Sequence, residues 1–152
     1  EKLTDKFDTN LIWNPAVTNK LFKREKIISS GILFRRFGKA REAAFSLPFA
    51  FSSNLIACSS KGSAIYINPS KAEKEPLFPI EQYLDAYKYI IGKAEQAFSE
   101  AVEKAVSDYD RKELEKQRVC YIDQIYHKEI TVLLYSYYRH FWSVDDEKIK
   151  EY

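Results

Sequence analysis

Three residues of the C-terminal half combine reactive side chains with helical spacing. Cys120, Asp123 and His127 follow one another at intervals of three and four residues, so a helix would project all three from one side. A thiolate, a carboxylate and an imidazole can ligate a metal or pair a nucleophile with its base. Completing such a site would require groups from elsewhere, such as Cys58 or His140. The sequence favours a structural interpretation, an ordinary Asp123 and His127 pair beside a buried thiol.

Motifs of the common enzyme classes do not occur in the chain. The four glycines are far apart, and no nucleophile elbow, HExxH, CxxC or EF-hand loop is present. Two cysteines support neither a disulfide framework nor a four-ligand zinc site, and we expect both thiols to be free and buried. The sequence therefore predicts no catalytic residues, no metal and no cofactor. It favours a non-enzymatic protein and leaves open a hydrolase or nuclease without a known motif.

A basic stretch is the second candidate site. Residues 20–42 hold eight basic and two acidic residues, a local charge of +6 in a chain whose net charge is +2. Phenylalanines at 22, 34, 37 and 45 are interleaved with these cations, a mixture that suits single-stranded nucleic acid. The alternatives are a solvated surface and a contact with acidic helices of this or another protein. The nucleic-acid hypothesis uses Lys23, Arg24, Lys26, Arg35, Arg36, Lys39 and Arg41.

Tyrosines crowd the last third of the chain and form the third candidate. Tyrosine and tryptophan are frequent at protein interfaces because they bury a large apolar body and keep one polar group in water. We expect a protein partner, or a second copy of the chain, to bind Tyr121, Tyr135, Tyr138 and Trp142.

Two long helices must position these residues. From Ile80, apolar residues recur at steps of four and three as far as Ala105, which predicts a helix over 80–106 with a heptad seam. Asp110 and Glu113 have the spacing of a capping box that opens a second helix. Its expected inward face is Val119, Ile122, Tyr126, Ile130, Leu133, Tyr137 and Phe141. Apolar residues also lie off that face, so the helix must be enclosed by the domain or by another chain.

The N-terminal half has shorter apolar periods. Residues 1–10 have none and are expected to be a loose arm. Segments 55–58 and 64–67 flank a turn-rich stretch and predict a β-hairpin. Segment 26–37 is a candidate third strand, and 39–45 a short helix that ends before Pro48.

Length and composition bound the class of protein. With 152 residues, 45% hydrophobic and 30% charged, the chain suits one domain with its own core. No membrane span or signal peptide is evident, which favours a soluble, cytoplasmic protein, although the absence of any Met leaves the natural N-terminus open. We predict an α+β fold: a small, irregular β-containing N-terminal half (11–70) packed on a long C-terminal antiparallel helical hairpin plus a short final helix (79–152). The favoured function is a protein-interaction module, and nucleic-acid binding is the alternative.

Overall fold

Helices dominate the fold, and a small antiparallel sheet completes it. The computed structural model describes residues 2–53, 56–59 and 80–141. The elements in chain order are β1 (Lys2–Thr4), α1 (Asn10–Trp13), α2 (Arg24–Ser30), a 3₁₀ turn (Gly38–Ala40), α3 (Arg41–Phe51), β2 (Ile56–Cys58), α4 (Ile80–Lys104) and α5 (Asp108–Phe141). Within those ranges, no helix is both long and apolar enough to cross a bilayer.

The C-terminal helical hairpin is confirmed. α4 and α5 pack along one another, and only residues 105–107 connect them, as in an antiparallel pair. Ser107 caps the N-terminus of α5. Its Oγ accepts a hydrogen bond from the Asp110 amide at 3.0 Å and donates one to the Asp110 carboxylate at 2.7 Å. The expected capping box at Asp110 was therefore three residues late. The predicted short final helix lies outside the described residues.

The buried faces of the two long helices match the predicted ones only in part. α4 buries Tyr83, Ala86, Ile90, Ala94, Ala97 and Phe98. Ala94 and Phe98 belong to the expected seam, whereas Ile80 and Leu84 of that seam are 41% and 45% exposed. α5 buries Tyr121 and Ile125, one residue before the expected Ile122 and Tyr126. One residue corresponds to a rotation of about 100°. The rotation follows from further packing partners, since α3 covers α4 and α1 covers α5.

α3 is the most deeply buried element. Every residue from Ala43 to Phe51 is buried, so the helix is enclosed on all sides. The prediction that Pro48 ends this helix was wrong. A proline inside a helix costs about 3 kcal/mol, and enclosure of the neighbouring Phe45, Leu47, Phe49 and Phe51 in the core offsets that cost. Small residues on α3 and α4, among them Ala43, Ala44 and Ala94, let the two helices approach closely.

The N-terminal arm is part of the fold rather than loose. β1 pairs antiparallel with β2, with Leu3 opposite Ala57. Phe7 follows β1 and is 4% exposed, and its ring stacks on Phe98 of α4 with centroids 3.8 Å apart. β2 lies within the predicted strand 55–58 and pairs with β1 across the chain. The second segment of the predicted hairpin, 64–67, lies outside the described residues, so the hairpin stays a prediction.

The predicted strand over 26–37 is instead α2 and an irregular return segment. Gly31 takes the left-handed conformation, with φ of 63°, at the end of α2. This conformation ends the helix and turns the chain back. Ile27 before the turn and Ile32 after it then join a cluster with Phe45 and Phe49 of α3. The segment is therefore held to the core by Ile27 on one side of the turn and Ile32 on the other.

Candidate interaction surfaces

The C-terminal part of α5 presents large apolar side chains to solvent. We call Ile130, Val132, Leu134, Tyr135 and Tyr138 the apolar end of α5; these residues are exposed by 53%, 37%, 63%, 60% and 60%. At about 100° per residue, their side chains span more than half of the helix circumference. No charged residue occurs from 130 to 138. The apolar end is therefore an uncharged, apolar surface about 13 Å long.

The packing of α5 against the rest of the protein weakens after Glu129, which leaves the apolar end largely exposed. The inward side of α5 is buried at Tyr121, Ile125, Lys128 and Glu129. One turn further along the same side, Val132 is already partly exposed. Leu133 still packs against the buried cluster of Ala40, Tyr83 and Ala86. The N-terminal elements thus enclose the middle of α5, from Tyr121 to Glu129, more completely than the residues that follow.

The four tyrosine and tryptophan candidates fall into different environments. Tyr121 is 0% exposed and contacts the rings of Phe7, Phe51 and Phe98, so it belongs to the core and is not available to a partner. Tyr135 and Tyr138 lie on the apolar end. Trp142 lies outside the described residues. Two of the four residues therefore lie on one exposed surface.

Cys120, Asp123 and His127 share a side of α5, and all three are exposed. The imidazole of His127 lies edge-on to the Trp13 ring, with centroids 6.2 Å apart. Among the described residues, no group of three His, Cys, Asp or Glu side chains is placed to hold a metal. The expectation of buried thiols was wrong, since Cys58 and Cys120 are both free and exposed. Cys120 faces solvent because the rotation of α5 turns its side away from the core.

A buried ion pair of α5 is hydrogen-bonded to α1 and α4, and sequence reasoning missed it. Lys128 and Glu129 are 7% and 5% exposed, with Nζ and a carboxylate oxygen 3.5 Å apart. Lys128 also donates to the carbonyl of Ile12 in α1, and the Tyr87 hydroxyl of α4 donates to Glu129. Burial lowers the pKa of Lys128, and the nearby Glu129 partly counters that effect. Each charged group has a partner, so this network holds α5 against α1 and α4. We call it the clasp.

The basic stretch lies on the opposite half of the sequence and mostly faces solvent. Exposed cations are Lys23, Arg24, Arg35, Arg36 and Arg41, whereas Lys26 is half-buried and the side chain of Lys39 is not among those described. The Arg35 guanidinium lies 4.2 Å from the centre of the Tyr89 ring. The five exposed cations form no ion pair with any residue that the structure describes. Exposed cations of this kind attract anionic partners.

The rings interleaved with these cations mainly face the core. Phe45 is buried, and Phe22 and Phe37 are half-buried. Phe34 is 54% exposed, but one face of its ring stacks on Phe45 with centroids 4.2 Å apart. The exposed apolar groups of this stretch are mostly aliphatic, and the sequence analysis did not single them out.

Comparison of the chain with protein-family models, curated protein sequences and solved structures finds no match.

Proposed function

We propose that the protein is a non-enzymatic interaction module that self-associates through the apolar end of α5. The observation that carries this proposal is the exposure of five large apolar side chains within nine residues of one helix. Monomeric proteins scatter their exposed apolar residues, and a contiguous apolar patch marks an interaction site. Covering these side chains removes apolar area from water at roughly 25 cal/mol per Å².

A second copy is the partner that suits this surface. The segment from 130 to 138 has no charge, so two copies can approach without like-charge repulsion. A twofold axis through the patch would set the same side chains against each other, which makes a self-complementary interface. Because apolar groups occur around more than half of the helix, each α5 would also gain cover on sides that its own α4 does not reach.

Substitutions on α5 test the proposal. Tyr135→Glu places a carboxylate in the middle of the apolar end, and burying that charge at an interface costs about 2 kcal/mol or more. We expect light scattering after size exclusion to give a dimer for the unsubstituted chain and at least a 30-fold weaker association for Tyr135→Glu. Leu134→Glu should act in the same way.

The matched control is Tyr109→Glu, because Tyr109 is a 75% exposed ring at the other end of the same helix. It should leave the dimer intact. A monomer at every concentration for the unsubstituted chain, or equal weakening by Tyr109→Glu and Tyr135→Glu, would overturn the proposal.

A further inference from the structure

Residues 21–36 carry exposed aliphatic side chains among exposed cations. Leu21 is fully exposed, and Ile28 and Leu33 are 69% and 71% exposed. Lys23, Arg24, Arg35 and Arg36 are exposed beside them. Exposed aliphatic groups beside exposed cations suit a ligand that offers an apolar region and a negative charge together.

The exposed aliphatic residues are neighbours of residues that hold the segment to the core. Phe22, Ile27 and Ile32 pack with Phe45 and Phe49 in one cluster. Leu21, Ile28 and Leu33 each adjoin one of these anchors in sequence and lie outside the core. The anchors fix the backbone, so the outward side chains are presented from a supported surface rather than from a loose loop.

The two chain segments of this surface adjoin one another. The rings of Phe22 and Phe34 both contact Phe45, with centroids 5.2 and 4.2 Å from it. Leu21 and Lys23 flank the first ring, and Leu33 and Arg35 flank the second. Apolar and cationic side chains from both segments therefore start from neighbouring points. We call Leu21, Lys23, Arg24, Ile28, Leu33, Phe34, Arg35 and Arg36 the basic apolar surface.

We propose that the basic apolar surface binds the face of an anionic phospholipid bilayer. Aliphatic side chains that enter the interface, with Lys and Arg against acidic headgroups, are the two contributions that hold peripheral proteins to membranes. Single-stranded nucleic acid would use the cations but needs ring faces for base stacking. Here Phe34 offers one half-exposed ring, and the remaining exposed apolar groups are aliphatic, which bases do not use.

Vesicle binding tests this proposal on the full chain. Sedimentation with vesicles of phosphatidylcholine and phosphatidylserine should pellet the protein, and vesicles of phosphatidylcholine alone should not. Lys23→Ala with Arg36→Ala removes two cations, each worth about fivefold in affinity near an anionic surface, so binding should weaken about 25-fold. Leu21→Ser with Leu33→Ser removes two aliphatic groups and should weaken it at least tenfold.

Matched controls remove the same kinds of residue from a different part of the protein surface. Arg111→Ala with Lys112→Ala removes two exposed cations on α5, and Val106→Ser removes an aliphatic residue that is 97% exposed; neither should reduce vesicle binding. Circular dichroism must show the same helix content in every variant.

Two results would overturn the assignment. One is equal binding to neutral and anionic vesicles, or none to either. The other is tight binding of a single-stranded oligonucleotide that depends on Lys23 and Arg36 but not on Leu21 and Leu33, which would identify nucleic acid as the ligand. The self-association proposal is judged separately, because Leu21→Ser with Leu33→Ser should leave the dimer unchanged.

Discussion

Replacement of Lys128 should lower the stability of the fold, because its charge is buried and paired. Its ammonium lies between the Ile12 carbonyl and the buried Glu129 carboxylate. Lys128→Met would leave that carboxylate buried without its counter-charge, so we expect the free energy of unfolding to fall by about 3–5 kcal/mol. Urea denaturation measures this change.

Lys112→Met is the control, because Lys112 is exposed on the same helix; it should change the free energy of unfolding by less than about 0.5 kcal/mol. Combining Lys128→Met with Glu129→Gln should cost less than the sum of the two single changes, since neither charge is then left unpaired. Additive costs would contradict the clasp.

The Tyr121 hydroxyl is the opposite case, a buried group that lacks a hydrogen-bond partner within the described part of the chain. Among the described residues nothing hydrogen-bonds its oxygen, and an unsatisfied buried hydroxyl is costly. Tyr121→Phe keeps the ring contacts and removes that cost. We expect the variant to be at least as stable as the parent chain at pH 7, by up to about 1 kcal/mol in urea denaturation, and a clear loss would contradict this assignment.

The same hydroxyl predicts a pH dependence. Burial, with Asp8 and Asp5 nearby, raises the pKa of Tyr121 above its ordinary value of 10.0. Above pH 10 the unfolded chain releases this proton while the folded chain retains it, so the raised pKa stabilises the fold below pH 10 and that contribution is lost above it. The parent chain should lose about 1.4 kcal/mol more per pH unit above 10 than Tyr121→Phe. Parallel pH profiles for the two proteins would disprove the effect.

Sequence could indicate these residues only in part. Lys128 and Glu129 are conspicuous charges within an apolar stretch, which marks them as unusual. Their partners could not be inferred, because Ile12 lies 116 residues away in the chain. Tyr121 was expected at an interface since residue type alone does not separate a core ring from a surface ring.

At the scale of elements, the start of α5 depends on one side chain. Ser107 caps the amide of Asp110, and replacing such a cap by alanine costs about 1 kcal/mol. We therefore expect Ser107→Ala to lower the free energy of unfolding by about that amount in urea denaturation. Ser99→Ala, at an exposed position within α4, should have no such cost because alanine favours helix interiors. Equal effects of the two changes would argue against the cap.

Helix existence was predictable, and helix orientation was not. The four and three spacing from Ile80 located α4 correctly, since any long amphipathic pattern implies a helix. The same spacing assigned Leu84 to the seam, whereas Tyr83 is the buried residue. When the two helices are considered only as a pair, the sequence pattern does not show that α3 and α1 pack on their adjoining sides. The helix through Pro48 was missed for the same reason, because its stability comes from enclosure.

For the whole molecule, the sequence predicted an α+β fold with a C-terminal hairpin, and the structure supports a helix-dominated form of it. The sheet itself joins residues that could not be paired from local pattern, with Lys2 opposite Cys58. α5 has apolar side chains on more sides than α4 covers, as its sequence pattern indicated. The exposed ones cluster after Glu129, which moves the candidate surface away from the buried Tyr121.

In the proposed dimer, a second copy covers the apolar end of α5. An isotope-filtered nuclear Overhauser experiment on a mixture of labelled and unlabelled chains tests this directly, because it records only contacts between copies. We expect contacts that join the methyl groups of Ile130, Val132 or Leu134 to the rings of Tyr135 or Tyr138 on the other copy. No contact between copies, or contacts confined to other helices, would contradict it.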